Sequence, residues 1–199
     1  MSLHDNAYAA FMLDYAAGSL PPAERLAADL HRALSMEGGR NARLMEALGG
    51  AMLEKLPSGA LVGAGEPGQP DTRLTPTHLE PYLRRDLVGM KWRTSIWGVK
   101  TAPSDVPMTS FLRLDPGERA PSHGHGRRDV TVVLRGAYAD DFGVYERGDL
   151  AFAEPGMRHA PRAVGGETCV CLVATEAGRP IRGFIGLFGL GAGNQKVLA

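Results

Sequence analysis

Cysteine is almost missing from this 199-residue chain, which has only Cys169 and Cys171. They stand two apart in a strand-like run, so both should point to one face. An extended backbone would hold them too far apart for easy bridging. The reading is two buried thiols, and a cytoplasmic location follows. Net charge is also missing: 22 basic side chains balance 22 acidic ones. That leaves no electrostatic footprint for nucleic acid or an anionic membrane, so neither is expected as a direct partner. No apolar run approaches the ~20 residues of a membrane span. The opening MSLHDNAYAA has neither a basic nor an apolar leader region, so no targeting segment is expected. There is no phosphate-binding loop and no dinucleotide fingerprint. Gly189, Gly191 and Gly193 alternate, but Asn194 stands where the third glycine would be needed.

What the chain does have is 44% hydrophobic and 22% charged residues, the balance of a folded globular protein. Residues 1–56 read as a small helical domain. An alanine-rich helix should stop at Gly18. Ser19 is placed to cap the next helix, Pro21 and Pro22 suit its first turn, and Glu24 complements its dipole. Leu26, Leu30 and Leu34 give that helix one apolar stripe, and Gly38-Gly39 should end it. Leu44, Met45, Leu48, Met52 and Leu56 mark a third. Three such helices make a marginal core, so the unit needs a partner to cover it.

Residues 57–86 read as a linker rich in glycine and proline. From 87 to 199 the period changes to two. Candidate strands are 92–99, 108–114, 130–134, 138–140, 144–146, 149–153, 168–175 and 181–186, separated by glycine turns. Many short strands and no long helical pattern argue for a small barrel or sandwich.

Three of the six histidines fall in this half: His123, His125 and His159. His123 and His125 share a strand face, and Asp129 has the same parity. Imidazoles with a carboxylate suit a divalent first-row metal. Gly117, His123, His125, Asp129 and Gly136 have the spacing of the first motif of the cupin superfamily. Gly148, Pro155, Gly156 and His159 have that of the second, with Glu154 at its first proline position. Residues 90–188 thus resemble a cupin. The resemblance implies an α+β chain whose C-terminal domain is a double-stranded β-helix barrel. It also implies a metal site of His123, His125, Asp129 and His159. Asp129 replaces the usual glutamate and is one methylene shorter. Zinc is the first expectation, with iron or manganese as alternatives.

The segment LDYAAGSLPPAERLAADLHRAL, followed by the cupin motifs, resembles a narrower family, the anti-sigma factors of the ChrR type. That resemblance covers residues 5–190. It implies an extracytoplasmic-function sigma factor as partner of the N-terminal helices, with the cupin as sensor. The family's zinc signature in the helical domain is His-x3-Cys-x2-Cys. Here His31 keeps the first place, and Ser35 and Gly38 hold the cysteine positions. Neither supplies a thiolate, so that zinc site cannot be built, and His31 reads as a half-buried helix residue. Stability must then come from packing on the barrel or from dimerisation, and a homodimer is a possible assembly. The alternatives to a regulator are a dioxygenase-type cupin metalloenzyme acting on a small organic substrate, or a non-catalytic scaffold. No catalytic residue is assigned.

Overall fold

A computed structural model describes residues 3–54, 76–84, 87, 90–95 and 99–176. Three helices, α1 (Leu3–Ala17), α2 (Pro22–Leu34) and α3 (Met36–Glu54), precede a fourth, α4 (Pro76–Arg84). Among the described residues eleven strands follow: β1 (Arg93–Thr94), β2 (Lys100–Pro103), β3 (Thr109–Leu114), β4 (His123–Gly124), β5 (Asp129–Arg135), β6 (Ala137–Ala139), β7 (Val144–Glu146), β8 (Leu150–Ala153), β9 (Arg158–His159), β10 (Arg162–Val164) and β11 (Cys169–Thr175). The large sheet runs β1-β2-β3-β11-β5-β8, a smaller one runs β10-β6-β7, and β4 pairs with β9. Every pairing among the described residues is antiparallel. The expectation of α+β with a cupin barrel holds. No helix among the described residues is long and apolar enough to cross a membrane.

Two local expectations need correction. Ser19 does not cap α2. Gly18, at φ 74°, and Ser19 instead close α1: their amides donate to the Tyr15 and Asp14 carbonyls at 3.0 Å each. The Ser19 hydroxyl adds a third bond to Asp14 O at 3.0 Å. This is a Schellman-type ending, and it uses the serine before α2 begins. Pro21 occupies the N-cap with Pro22 behind it, and no side chain caps. Nor do Gly38 and Gly39 end α2; they lie inside α3. The break is Ser35, whose extended backbone closes α2 and whose hydroxyl accepts from the Gly38 amide at 3.1 Å. A position that would carry a zinc cysteine is thus an N-cap here.

The stretch read as linker contains α4, which Pro81 does not prevent from forming. Leu79 and Tyr82 of α4 are buried, and Tyr82 stacks on Phe111 at 5.8 Å. Of the expected strand 92–99, Arg93–Thr94 form β1, which pairs with β2, and residues 96–98 lie outside the described residues. The expected strand 181–186 lies outside the described residues.

The large sheet separates two cores. Val130, Val132, Phe152, Val170, Leu172 and Ala174 face a core shared with Phe11, Met12, Leu26, Ala27 and Leu30 of the helices. Val133, Leu114, Cys169 and Cys171 face inward toward Tyr138, Tyr145 and Ala163 of the small sheet. The helical unit therefore completes its marginal core on the outside of the barrel.

His31 is central to that contact. It is buried, at 4% exposure, rather than half-buried. Its Nδ1 lies 2.6 Å from Gly148 O, and its Nε2 lies 2.9 Å from the Tyr8 hydroxyl. A carbonyl can only accept, so Nδ1 carries the proton and neutral Nε2 accepts from Tyr8. Asn41 Nδ2 in turn donates to the Tyr8 oxygen at 2.9 Å. The backbones come close enough only because two positions lack a Cβ. One built at Gly38 would lie 2.6 Å from the His31 ring, and one at Gly148 would lie 3.0 Å from the Leu34 carbonyl.

Candidate metal centre

The pairing of β4 with β9 sets His123 directly opposite His159. His125 follows β4 and is fixed by its backbone: its amide donates to Met157 O at 3.0 Å, and its carbonyl accepts from Gly156 N at 2.8 Å. Gly156 takes a positive φ of 88° there, which a glycine tolerates without strain. The three rings converge. His159 Nε2 lies 2.9 Å from His125 Nε2 and 3.1 Å from His123 Nε2. All three ligand atoms lie within 4.8 Å of one another.

The outward nitrogens fix the tautomers. His123 Nδ1 donates to Pro121 O at 2.9 Å. His125 Nδ1 lies 2.7 Å from Asp129 Oδ2, and His159 Nδ1 lies 2.8 Å from Asp140 Oδ2. Each acceptor orients its imidazole with the Nδ1 proton outward. Three Nε2 lone pairs then face one point. With 2.0–2.1 Å bonds and angles of 90–109°, a metal would space its nitrogens by about 2.9–3.4 Å. The two separations from His159 Nε2 fit that range, and the donor set suits zinc, iron or manganese.

Asp129 stands behind His125 rather than beside it. A bend at residues 126–127 separates β4 from β5, so strand parity does not carry from His125 to Asp129. The shorter side chain reaches His125 Nδ1 with Oδ2, and Oδ1 is buried with no hydrogen-bond partner among the described residues. Asp140 was not foreseen. It sits in the turn between β6 and β7, where an aspartate reads as an ordinary turn former. Its Oδ1 does accept from the Phe142 and Gly143 amides, at 2.9 and 3.2 Å. Its other oxygen turns inward to His159. Burial pushes the Asp140 pKa up, but His159 and these amides outweigh that and leave it below the usual value. Burial above all pulls His123 down to about 4, helped by the neighbouring imidazoles and opposed by its bond to Pro121.

Beside the histidines lies a cavity of about 100 Å³, walled by Thr101, Ser110, Leu112, Tyr138, Cys169 and Cys171, among others. No arginine or lysine is among the described residues that line it. Arg127 and Arg128, which flank the histidines in sequence, point elsewhere: Arg127 to Glu176 O and Arg128 to Glu24. Arg158 is exposed. The two cysteines do share one inward face, and their sulfurs touch at 3.6 Å. The contact with Cys169, together with complete burial, pushes the Cys171 thiol well up. A thiol held protonated is a poor nucleophile. Iodoacetamide at pH 8 is therefore expected to leave the native protein unlabelled and to add two labels after denaturation, as read by intact mass.

A family model described as the ChrR cupin-like domain matches residues 86–178. The chain is 30% identical to the anti-sigma-E factor ChrR of Cereibacter sphaeroides, over 92% of this chain and 93% of that one. It also matches the crystal structure of Rhodobacter sphaeroides SigE in complex with the anti-sigma ChrR. There the identity is 31% and the TM-score 0.65, covering 84% of this chain and 96% of that chain.

Proposed function

The chain belongs to the ChrR family of anti-sigma factors, and from that premise we propose that it holds an extracytoplasmic-function sigma factor through its N-terminal helices. The barrel is its sensor, with a metal on His123, His125 and His159. The observation that carries the partner reading is the surface of the helical unit. Its inner face is spent on the barrel, yet Leu13 of α1 and Leu44 and Leu48 of α3 remain 52–56% exposed. Leu44 and Leu48 stand one turn apart, the spacing of a helix face that docks in a partner.

Zinc is the first candidate for the metal, with iron or manganese behind it. When bound, the ion would supply a Lewis-acid centre with room for an exchangeable ligand from the cavity. The chain's own part is to aim three neutral imidazoles. Asp129 and Asp140 hold two of the protons outward, and the Pro121 carbonyl holds the third.

The test is to purify the tagged full chain from its source cells and identify its stoichiometric partners. A sigma factor should copurify with the wild type and be lost from the L44D/L48D variant. Both positions face solvent, so the variant should unfold at the wild-type urea midpoint. Absence of a sigma factor from the wild-type sample, or its retention by the folded variant, overturns the reading.

A further inference from the structure

We propose that Glu24 and Arg128 couple the histidine site to helix α2, so that occupation of the site and seating of the helix bias each other. The inference rests on reading the three histidines as a metal site and concerns how that site is regulated.

Arg128 lies between His125 and Asp129 in the sequence. Its neighbour Asp129 turns inward and holds His125 Nδ1 at 2.7 Å. Arg128 itself turns outward and reaches α2, with Nη2 at 2.6 Å from Glu24 Oε2. These residues are 104 positions apart, and their pairing bridges the barrel and the helical unit. Glu24 is 1% exposed, so the contact is not a screened surface pair. The sequence placed Glu24 as a dipole-complementing residue at the start of α2; in the structure it is the helix's buried anchor on the barrel.

The geometry of the pair allows two states. A guanidinium and a carboxylate can make two parallel bonds. Here one bond forms, while Glu24 Oε1 and Arg128 Nε find no partner among the described residues. A small rotation of the 126–128 segment would exchange the one-bond arrangement for the two-bond one. That segment is backed by β11, because Arg128 O accepts from Glu176 N at 2.9 Å. The outer face of β11, with Val170, Leu172 and Ala174, lies in the same core as Leu26, Ala27 and Leu30 of α2. A metal on His125 Nε2 would polarise the ring and strengthen the bond from its Nδ1 to the Asp129 carboxylate, and Arg128 is the adjoining residue. Energetic coupling of this kind is reciprocal, so a change at α2 must alter metal affinity by the same factor.

The test uses the full-length protein and zinc as the probe. Apparent zinc affinity is measured by competition with a chromophoric chelator. Amide exchange of α2 is measured with and without zinc. Glu24→Gln touches none of the histidines, yet it is expected to change the zinc Kd at least fivefold. Zinc should alter α2 exchange in the wild type and not in this variant. Arg128→Lys keeps the charge but cannot form the fork, and it serves the same comparison if Glu24→Gln does not fold. Glu46→Gln breaks the helix ion pair with Arg32, which lies away from the site, and should leave the zinc Kd unchanged. A Glu24→Gln affinity within twofold of wild type, or wild-type α2 exchange indifferent to zinc, overturns the coupling alone. A wild-type chain that takes up no zinc, iron or manganese overturns the metal reading and the coupling with it.

Discussion

Replacing His31 with alanine is expected to lower folding stability by about 3–4 kcal/mol, read as a fall in the urea midpoint at unchanged m. The ring is buried at 4% exposure and serves two partners across the junction of the helices and the barrel. Its removal leaves the Gly148 carbonyl without its donor and the Tyr8 hydroxyl without its acceptor. The buried carbonyl left unpaired costs about 1–3 kcal/mol, and the half-buried Tyr8 hydroxyl costs less. The missing ring also leaves a void beside Tyr8, whose own ring packs edge-on to it at 5.5 Å. His31→Asn can place an amide N–H where Nδ1–H was, but it cannot reach Tyr8. It should recover about 1–2 kcal/mol of the loss. A loss below about 1 kcal/mol in the alanine variant would mean that the helices do not depend on this junction.

The same residue gives the protein an acid-labile joint. Burial chiefly depresses the His31 pKa below the usual 6.5, against the opposing pull of Gly148, Asp149 and Glu37. The unfolded chain therefore binds the proton more readily than the native one. Stability from the neutral ring is complete above the unfolded pKa near 6.5. It is lost as pH falls below that value and through the depressed native pKa. Wild-type stability should drop over this window more steeply than that of His31→Asn, which has nothing to titrate there. Equal slopes in the two proteins would remove His31 as the cause.

Much of this was legible in the chain, and the misses share a cause. The histidine spacing and glycine turns located the barrel and its three imidazoles, because short-range pattern dictates both. Contacts made across long sequence separations were not legible. Asp140 resembles any hairpin aspartate until β9 brings His159 to it, 19 residues on. Glu24 resembles a helix-start acid until Arg128 arrives from the barrel. The cupin resemblance groups Asp129 with the ligands, and strand parity agrees only if the strand is regular; the bend at 126–127 breaks that parity and sets the carboxylate against His125 Nδ1. The loss of the helical zinc site was plain from Ser35 and Gly38, but its replacement was not. The Asn41–Tyr8–His31–Gly148 chain is assembled from α3, α1, α2 and a barrel turn, and no local motif announces it.

Asp140→Asn is expected to weaken metal binding by about 10–100-fold while leaving the fold intact, which competition with a chelator would measure. The side chain is 3% exposed, and its two oxygens do different work. One accepts the Phe142 and Gly143 amides, and the other accepts His159 Nδ1. An asparagine must give its single carbonyl to the two amides, which turns its NH2 group toward His159. Two donors then face each other, so the imidazole moves its proton to Nε2, the atom that would bind the metal. The loss arises from the wrong tautomer, not from a missing ligand, so His159→Ala should cost more than Asp140→Asn. Asp129→Asn provides the matching comparison at His125. If Asp129 only orients that ring, its loss should equal that of Asp140→Asn. A loss as large as that of His159→Ala would make Asp129 a direct ligand, through the oxygen that is unpartnered here. Unchanged affinity in all three variants would mean that the histidines hold no metal.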